Sequence, residues 1–304
     1  MSLDLTPRDD SEHDTPERHR VARQSTLVSV VVNLVLTAVQ LVVGVWAHSQ
    51  ALVADAIHSL SDLVSDFIVL LANRHSHKAA DEDHHYGHQR YETAASLVLG
   101  LLLLSVGVGM LWSAVQKLSS PDDIPRVQAM ALYVAIGALL AKELLFRYML
   151  AAAEKVRSSM LVANAWHARS DAASSLVVGL GILGNMLGYP LLDPVAALIV
   201  GLMVSKMGWD FGWNALHDLM DRSASQEQIE HISDLIRQTP GVLGVHDVRT
   251  RKMGDMILVD AHIEVNGALS VRAGHDIAEQ ARSRVMQAAP VLDVLTHLDP
   301  VDVA

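Results

Sequence analysis

The chain has 304 residues, 51% of them apolar but only 4% aromatic, and a formal net charge of −11. That charge argues against a nucleic-acid binder, which needs a basic face. Cysteine is absent, which excludes disulfides and thiolate metal sites and leaves His, Asp, Glu and backbone oxygen as metal donors, a set suited to zinc, iron, cobalt or manganese rather than copper(I).

Residues 1–25 are polar, carry Arg8, Arg18, Arg20 and Arg23, and lack the apolar core of a cleavable signal. Residues 26–220 hold six apolar segments, at about 26–47, 52–72, 93–115, 127–150, 159–187 and 194–216. Each has roughly 20 residues or more, enough to cross a ~30 Å hydrocarbon core. The sixth opens on Leu192-Asp193-Pro194, with proline in the first helical turn.

The second segment carries His58 and Asp62, and the fifth carries His167 and Asp171. Positions i and i+4 share one helix face, so each pair aims an imidazole and a carboxylate at one spot. An ionisable group at bilayer depth costs about 2.5–3.5 kcal/mol on insertion scales and therefore faces protein or a water-filled cavity. Together His58, Asp62, His167 and Asp171 make a four-ligand site for a divalent metal buried in a membrane. Asp55 and Asp66 lie on the same broad face and read as lining an entry path. Lys142-Glu143 in the fourth segment reads as a self-neutralising pair near the cytoplasmic end. Ser96, Ser105, Gly107 and Gly109 in the third favour close helix packing.

Bases concentrate in alternate connections: Arg74, Lys78 and Arg90 between segments two and three, and Arg147, Lys155 and Arg157 between four and five. The positive-inside bias places these loops and both termini in the cytoplasm. Residues 81–88, Asp-Glu-Asp-His-His-Tyr-Gly-His, are dense in donors, and Gly87 permits a tight turn. Residues 221–304 read as a soluble α+β domain of order α-β-β-α-β. Its predicted elements are a helix at 225–238 stopped by Pro240-Gly241, strands at 242–251 and 256–265 around a Gly254-Asp255 turn, a helix at 271–286 and a strand at 291–298. His262 sits in an alternating strand, and His297 and Asp299 share one face of the last strand.

These features together resemble the cation diffusion facilitator family of divalent-metal/proton antiporters, most closely its bacterial zinc and ferrous-iron efflux members. The likeness runs from the first segment to His297-Leu-Asp299. It implies an α-helical membrane protein of six transmembrane helices with a C-terminal cytoplasmic metallochaperone-like domain, assembled as a homodimer in the cell inner membrane. It implies a second metal site at Asp81, His84 and His88. It also implies a binuclear site at His246, His262, His275, His297 and Asp299, for sensing or dimer locking. Arg90 and Asp221 match a charge interlock at the dimer base, where lysine is common in place of Arg90. Some efflux relatives carry Asp where His58 stands, and the family links the balanced His/Asp set to zinc and the Asp-rich set to broader use that includes cadmium.

The expected activity is proton-driven export of zinc from the cytoplasm, with ferrous iron, cobalt, nickel or manganese as alternatives. A membrane metal sensor is the rival of another class. No His-Glu-x-x-His and no Gly-x-x-x-x-Gly-Lys-Ser/Thr occurs, which argues against an intramembrane metalloprotease and an ATP-driven pump.

Overall fold

The computed structural model describes residues 16–76, 78, 80–120, 124–155 and 159–302; residues 1–15, with Arg8, and Arg157 lie outside the described residues. Six long helices lead the chain: α1 (Pro16–Trp46), α2 (Gln50–Ser76), α3 (Arg90–Ser119), α4 (Ala129–Lys155), α5 (Ser159–Met186) and α6 (Leu192–Leu219). They are followed by α7 (Gln226–Arg237), β1 (Gly244–Met253), β2 (Met256–Asn266), α8 (Val271–Ala288) and β3 (Val291–Val301), the expected α-β-β-α-β order. Among the described residues, α1 (from Arg23), α3, α4 and α6 are long and apolar enough to cross a membrane by length and composition. The two that fall short, α2 and α5, carry the His/Asp pairs, which lower the apolar character of otherwise comparable helices.

By internal packing the chain divides into two units, one of Met1–Asp66 with Leu103–Met207 and the other of Phe67–Leu102 with Gly208–Ala304. The first is a bundle whose core is built largely from small and branched residues, among them Ala47, Ala51, Leu52, Ala131, Val178, Ile182 and Val200. Small side chains let helices approach closely where lipid offers no hydrophobic contrast. At one end of this bundle three connections meet. Asp193, in the first turn of α6, accepts hydrogen bonds from Ser49 Oγ (2.6 Å) and the Gln50 backbone N–H (2.7 Å), and Ser49 Oγ in turn accepts from the Leu52 N–H (3.1 Å). Gln128 N–H donates to the Ala47 carbonyl (3.2 Å), and Val127 N–H to Asn185 Oδ1 (2.9 Å). The Asp193 and Ser49 bonds cap the start of α2, the helix that carries His58.

In the second unit α3 and α6 cross at glycine: a Cβ added at Gly100 would overlap the Gly212 backbone. The C-terminal sheet has the order β1-β2-β3, with β1 antiparallel and β3 parallel to β2. The parallel pair requires a crossover, which α8 supplies. Ile257, Val259, Ala261, Ile263 and Val265 pack with Ile232, Ile236, Ala281 and Val285 of the helices. The strand period of two then puts His262 and Glu264 on the opposite, helix-free face. Ser225 caps α7 through a reciprocal capping box with Gln228.

Candidate metal centres

The bundle brings together three of the four predicted ligands. His58 Nδ1 lies 3.7 Å from Asp62 Oδ2, one turn along α2, and His58 Nε2 lies 4.0 Å from Asp171 Oδ1 on α5. One donor atom from each residue fits within 4.8 Å of the others. A tetrahedral shell with bonds of about 2.0–2.2 Å needs donors roughly 3.3–3.6 Å apart, so a slight inward movement brings these three to coordinating distance and leaves a fourth position open. His58 Nδ1 is buried and has no hydrogen-bond partner among the described residues, a cost a native site tolerates where the atom has another use. His167, one turn before Asp171, is exposed and stands outside this triplet. It lies within electrostatic reach of Asp62 and Asp171.

Two readings of neighbouring residues need correction. Asp55 does not line an entry path: it is fully buried and ion-paired with Lys142 at 3.5 Å. Lys142 and Glu143 are therefore not a self-neutralising pair, because Glu143 bonds Arg147 at 2.8 Å. Helical geometry explains both, since adjacent residues point about 100° apart and Lys142 faces inward while Glu143 faces out. Asp66 stands exposed.

The loop between α2 and α3 assembles the second predicted group. His84 Nδ1 and His88 Nε2 each lie 3.3 Å from an Asp81 carboxylate oxygen, and the two rings are 4.5 Å apart. His88 Nδ1 sits 3.3 Å from the Lys78 carbonyl, which can only accept, so Nδ1 is the donor of that contact, and Nε2 faces Asp81. Gly87, at φ 78°, closes the turn with its N–H on the His84 carbonyl (3.0 Å). Lys78 Nζ bonds Asp81 Oδ2 at 2.8 Å, and the Asp83 and His84 N–H groups bond Oδ1. The Lys78 ammonium, with the His84 N–H, holds the Asp81 carboxyl well below the usual carboxylate range, and Asp81 in return raises Lys78.

On the open face of the C-terminal sheet His246, His262 and His297 stand in one row, paired across the three strands. Asp299 Oδ2 is 2.9 Å from His262 Nδ1 and 3.2 Å from His246 Nε2, while Oδ1 is 3.4 Å from His297 Nε2. The His262 hydrogen bond depresses the Asp299 carboxyl below its ordinary value. A bulge after His246, with Asp247 in the left-handed region at φ 47°, interrupts the β1–β2 register there. His275 stands exposed on α8, outside this group. Glu264 Oε1, 3.8 Å from His246 Nε2, is a neighbour that sequence reasoning did not count; its place two residues beyond His262 on the same strand face was the available signal. Arg90 and Asp221, the predicted interlock, form an ion pair within one chain, and Arg90 also reaches the Leu219 carbonyl (3.5 Å) and Met253 Sδ (3.2 Å).

Residues 26–220 match the family described as cation efflux transmembrane domain, and residues 224–301 the one described as cation efflux protein, cytoplasmic domain. Metal tolerance protein 2 of Oryza sativa subsp. japonica is 36% identical over 292 residues, covering 88% of this chain and 75% of that protein. The manganese efflux system protein MneS of Bacillus subtilis (strain 168) is 33% identical over 283 residues, covering 91% and 94% respectively. Among solved structures, the metal-bound C-terminal domain of the CzcD transporter from Thermotoga maritima is 27% identical, covers 24% of this chain and 87% of that one, and aligns with a TM-score of 0.24.

Proposed function

The chain belongs to the cation diffusion facilitator family of membrane metal transporters, and from that premise we propose that it exports zinc from the cytoplasm in exchange for protons. The observation that carries this reading is the convergence of His58, Asp62 and Asp171, from two helices, on one partly buried spot. His167 swings in to complete the shell. An imidazole nitrogen holds either a proton or a metal, not both, so binding of one expels the other. Protonation from the far side expels the ion; metal from the cytoplasm expels the protons.

A second reading, manganese as cargo, is favoured by the name of the Bacillus subtilis relative; two carboxylates suit that harder ion as well. The bases at one end of the helices, Arg74, Lys78, Arg90, Arg147 and Lys155, support cytoplasmic termini in an inner membrane. The loop and C-terminal clusters serve as cytoplasmic metal sites that report metal load, with His275 joining the latter and the Arg90–Asp221 pair bracing a homodimer. Purified protein in proteoliposomes, offered zinc, manganese, ferrous iron, cobalt and cadmium in turn with a lumenal pH dye, is the test. Zinc uptake with opposite proton movement supports the reading; fastest movement of manganese selects the second; binding with no movement of any ion leaves a sensor.

A further inference from the structure

One helical turn beyond the metal ligands lies a buried knot of charge that the transport chemistry does not use. Lys142 Nζ of α4 donates to Ser175 Oγ (2.8 Å) and Ser59 Oγ (3.2 Å) and faces both Asp55 oxygens at 3.5 Å. Asp55 also accepts from Gln40 Nε2 of α1 (2.6 Å) and Ser175 Oγ (2.7 Å), and Ser174 Oγ lies 3.2 Å from it. Four helices are thus tied at one point. Asp55 is 0% exposed and Lys142 3%.

Position gives the knot a direction. On α2 the face runs from Asp55, buried, through His58, buried, and Asp62, half-buried, to Asp66, exposed. On α5 it runs from Ser175 and Ser174, buried, through Asp171, half-buried, to His167, exposed. Both helices therefore open the metal site away from the end where Ser49, Ala47, Val127 and Asp193 join the connections, and the knot stands between the ligands and that end. Closure by leucines would serve packing better, because a buried ion pair is often less stabilising than apolar side chains of equal volume. Nor is the network complete: Gln40 Oε1 has no partner among the described residues, whereas a purely rigidifying network is expected to satisfy every member.

We propose that the Asp55–Lys142 knot is the gate on the release side of the transport site, with Lys142 the positioning residue that pins α2 and α5 together until the ion leaves. This rests on the export reading above. Alternating access needs a closure on each side of a fixed site, and polar closure is one that water can enter and re-form.

The chain has no cysteine, so Ser59→Cys/Ser175→Cys places the only two thiols around one ammonium. The full-length double variant is reconstituted and assayed for zinc flux reduced, then after oxidation or bridging with methane bis-thiosulfonate, then after re-reduction. Zinc binding is measured alongside. Expected is measurable flux when reduced, reversible arrest when bridged, and retained binding. Bridged protein that transports as well as reduced protein would overturn the gate, and so would failure of either reagent to link the pair. Parent protein that moves no ion would sink the export reading instead. In Lys142→Met the lone Asp55 carboxylate is left buried, and breaking such a pair shifts an equilibrium by roughly two to four orders of magnitude. Turnover is expected to fall by an order of magnitude or more while zinc affinity stays within about threefold; an equal loss of both contradicts the assignment.

Discussion

Asp81 and Asp299 carry the clearest electrostatic signatures outside the membrane helices, and each makes a test. Lys78 occupies Asp81 Oδ2 at 2.8 Å, so it competes with a metal for the same carboxylate. Exposed pairs are weak and screened by salt, and Lys78→Ala is accordingly expected to tighten metal binding in the loop modestly by titration calorimetry; weaker binding would show that Lys78 assists the site. Asp299 has a folded pKa below its unfolded value, chiefly through His262. Between those two values the unfolded chain binds more protons, so stability from this group rises with pH there and is lost as pH falls through the folded value. Asp299→Asn is expected to lower thermal stability at neutral pH and, because the variant has no such contribution left to lose, to flatten the acid limb below about pH 4; an unaltered acid limb would remove Asp299 from the cluster's electrostatics.

Helices and strands were legible where period and composition agree. The alternation from Ile257 to Val265 places β2 within a residue of Met256–Asn266, and Ser225 with Gln228 announces the start of α7. What stayed hidden was long-range. Nothing local marks Lys142 as the partner of Asp55, 87 positions away, because a pairing across four helices has no period. The His/Asp spacing on α2 and α5 was readable, yet the exposure of His167 was not, since it depends on how α5 is turned against its neighbours. The α3–α6 crossing was likewise invisible beyond a general excess of small residues. Gly100→Leu is expected to cost about 1–3 kcal/mol by overpacking, seen as a lower unfolding temperature in detergent, whereas Gly109→Leu, with nothing near its Cβ, is expected to change little. Equal effects would mean that the crossing is not close. Ser225→Ala is expected to cost about 1 kcal/mol through loss of the cap.

Taken together, the chain places one partly buried ligand group inside a helical bundle and two donor-rich clusters outside it, in the α2–α3 loop and on a sheet face. On the export reading, the first is the one proposed to hold the ion in passage. The other two are more open to solvent, which is what the proposed reporting of metal load requires. The boundary expected at residue 221 does not coincide with the packing division, which assigns Phe67–Leu102 and Gly208–Leu219 to the unit that also holds the sheet. Sequence shows where apolar character stops, whereas packing follows which surfaces touch. On the export reading proposed above, ion movement through the bundle depends on Asp171, the one carboxylate that α5 adds to the group on α2. Zinc uptake into proteoliposomes under an imposed pH gradient, parent against Asp171→Ala with helix content checked by circular dichroism, decides the matter. Loss of pH-driven uptake with helix content intact is the expected result; uptake at the parent's rate would contradict a transport site at His58, Asp62 and Asp171.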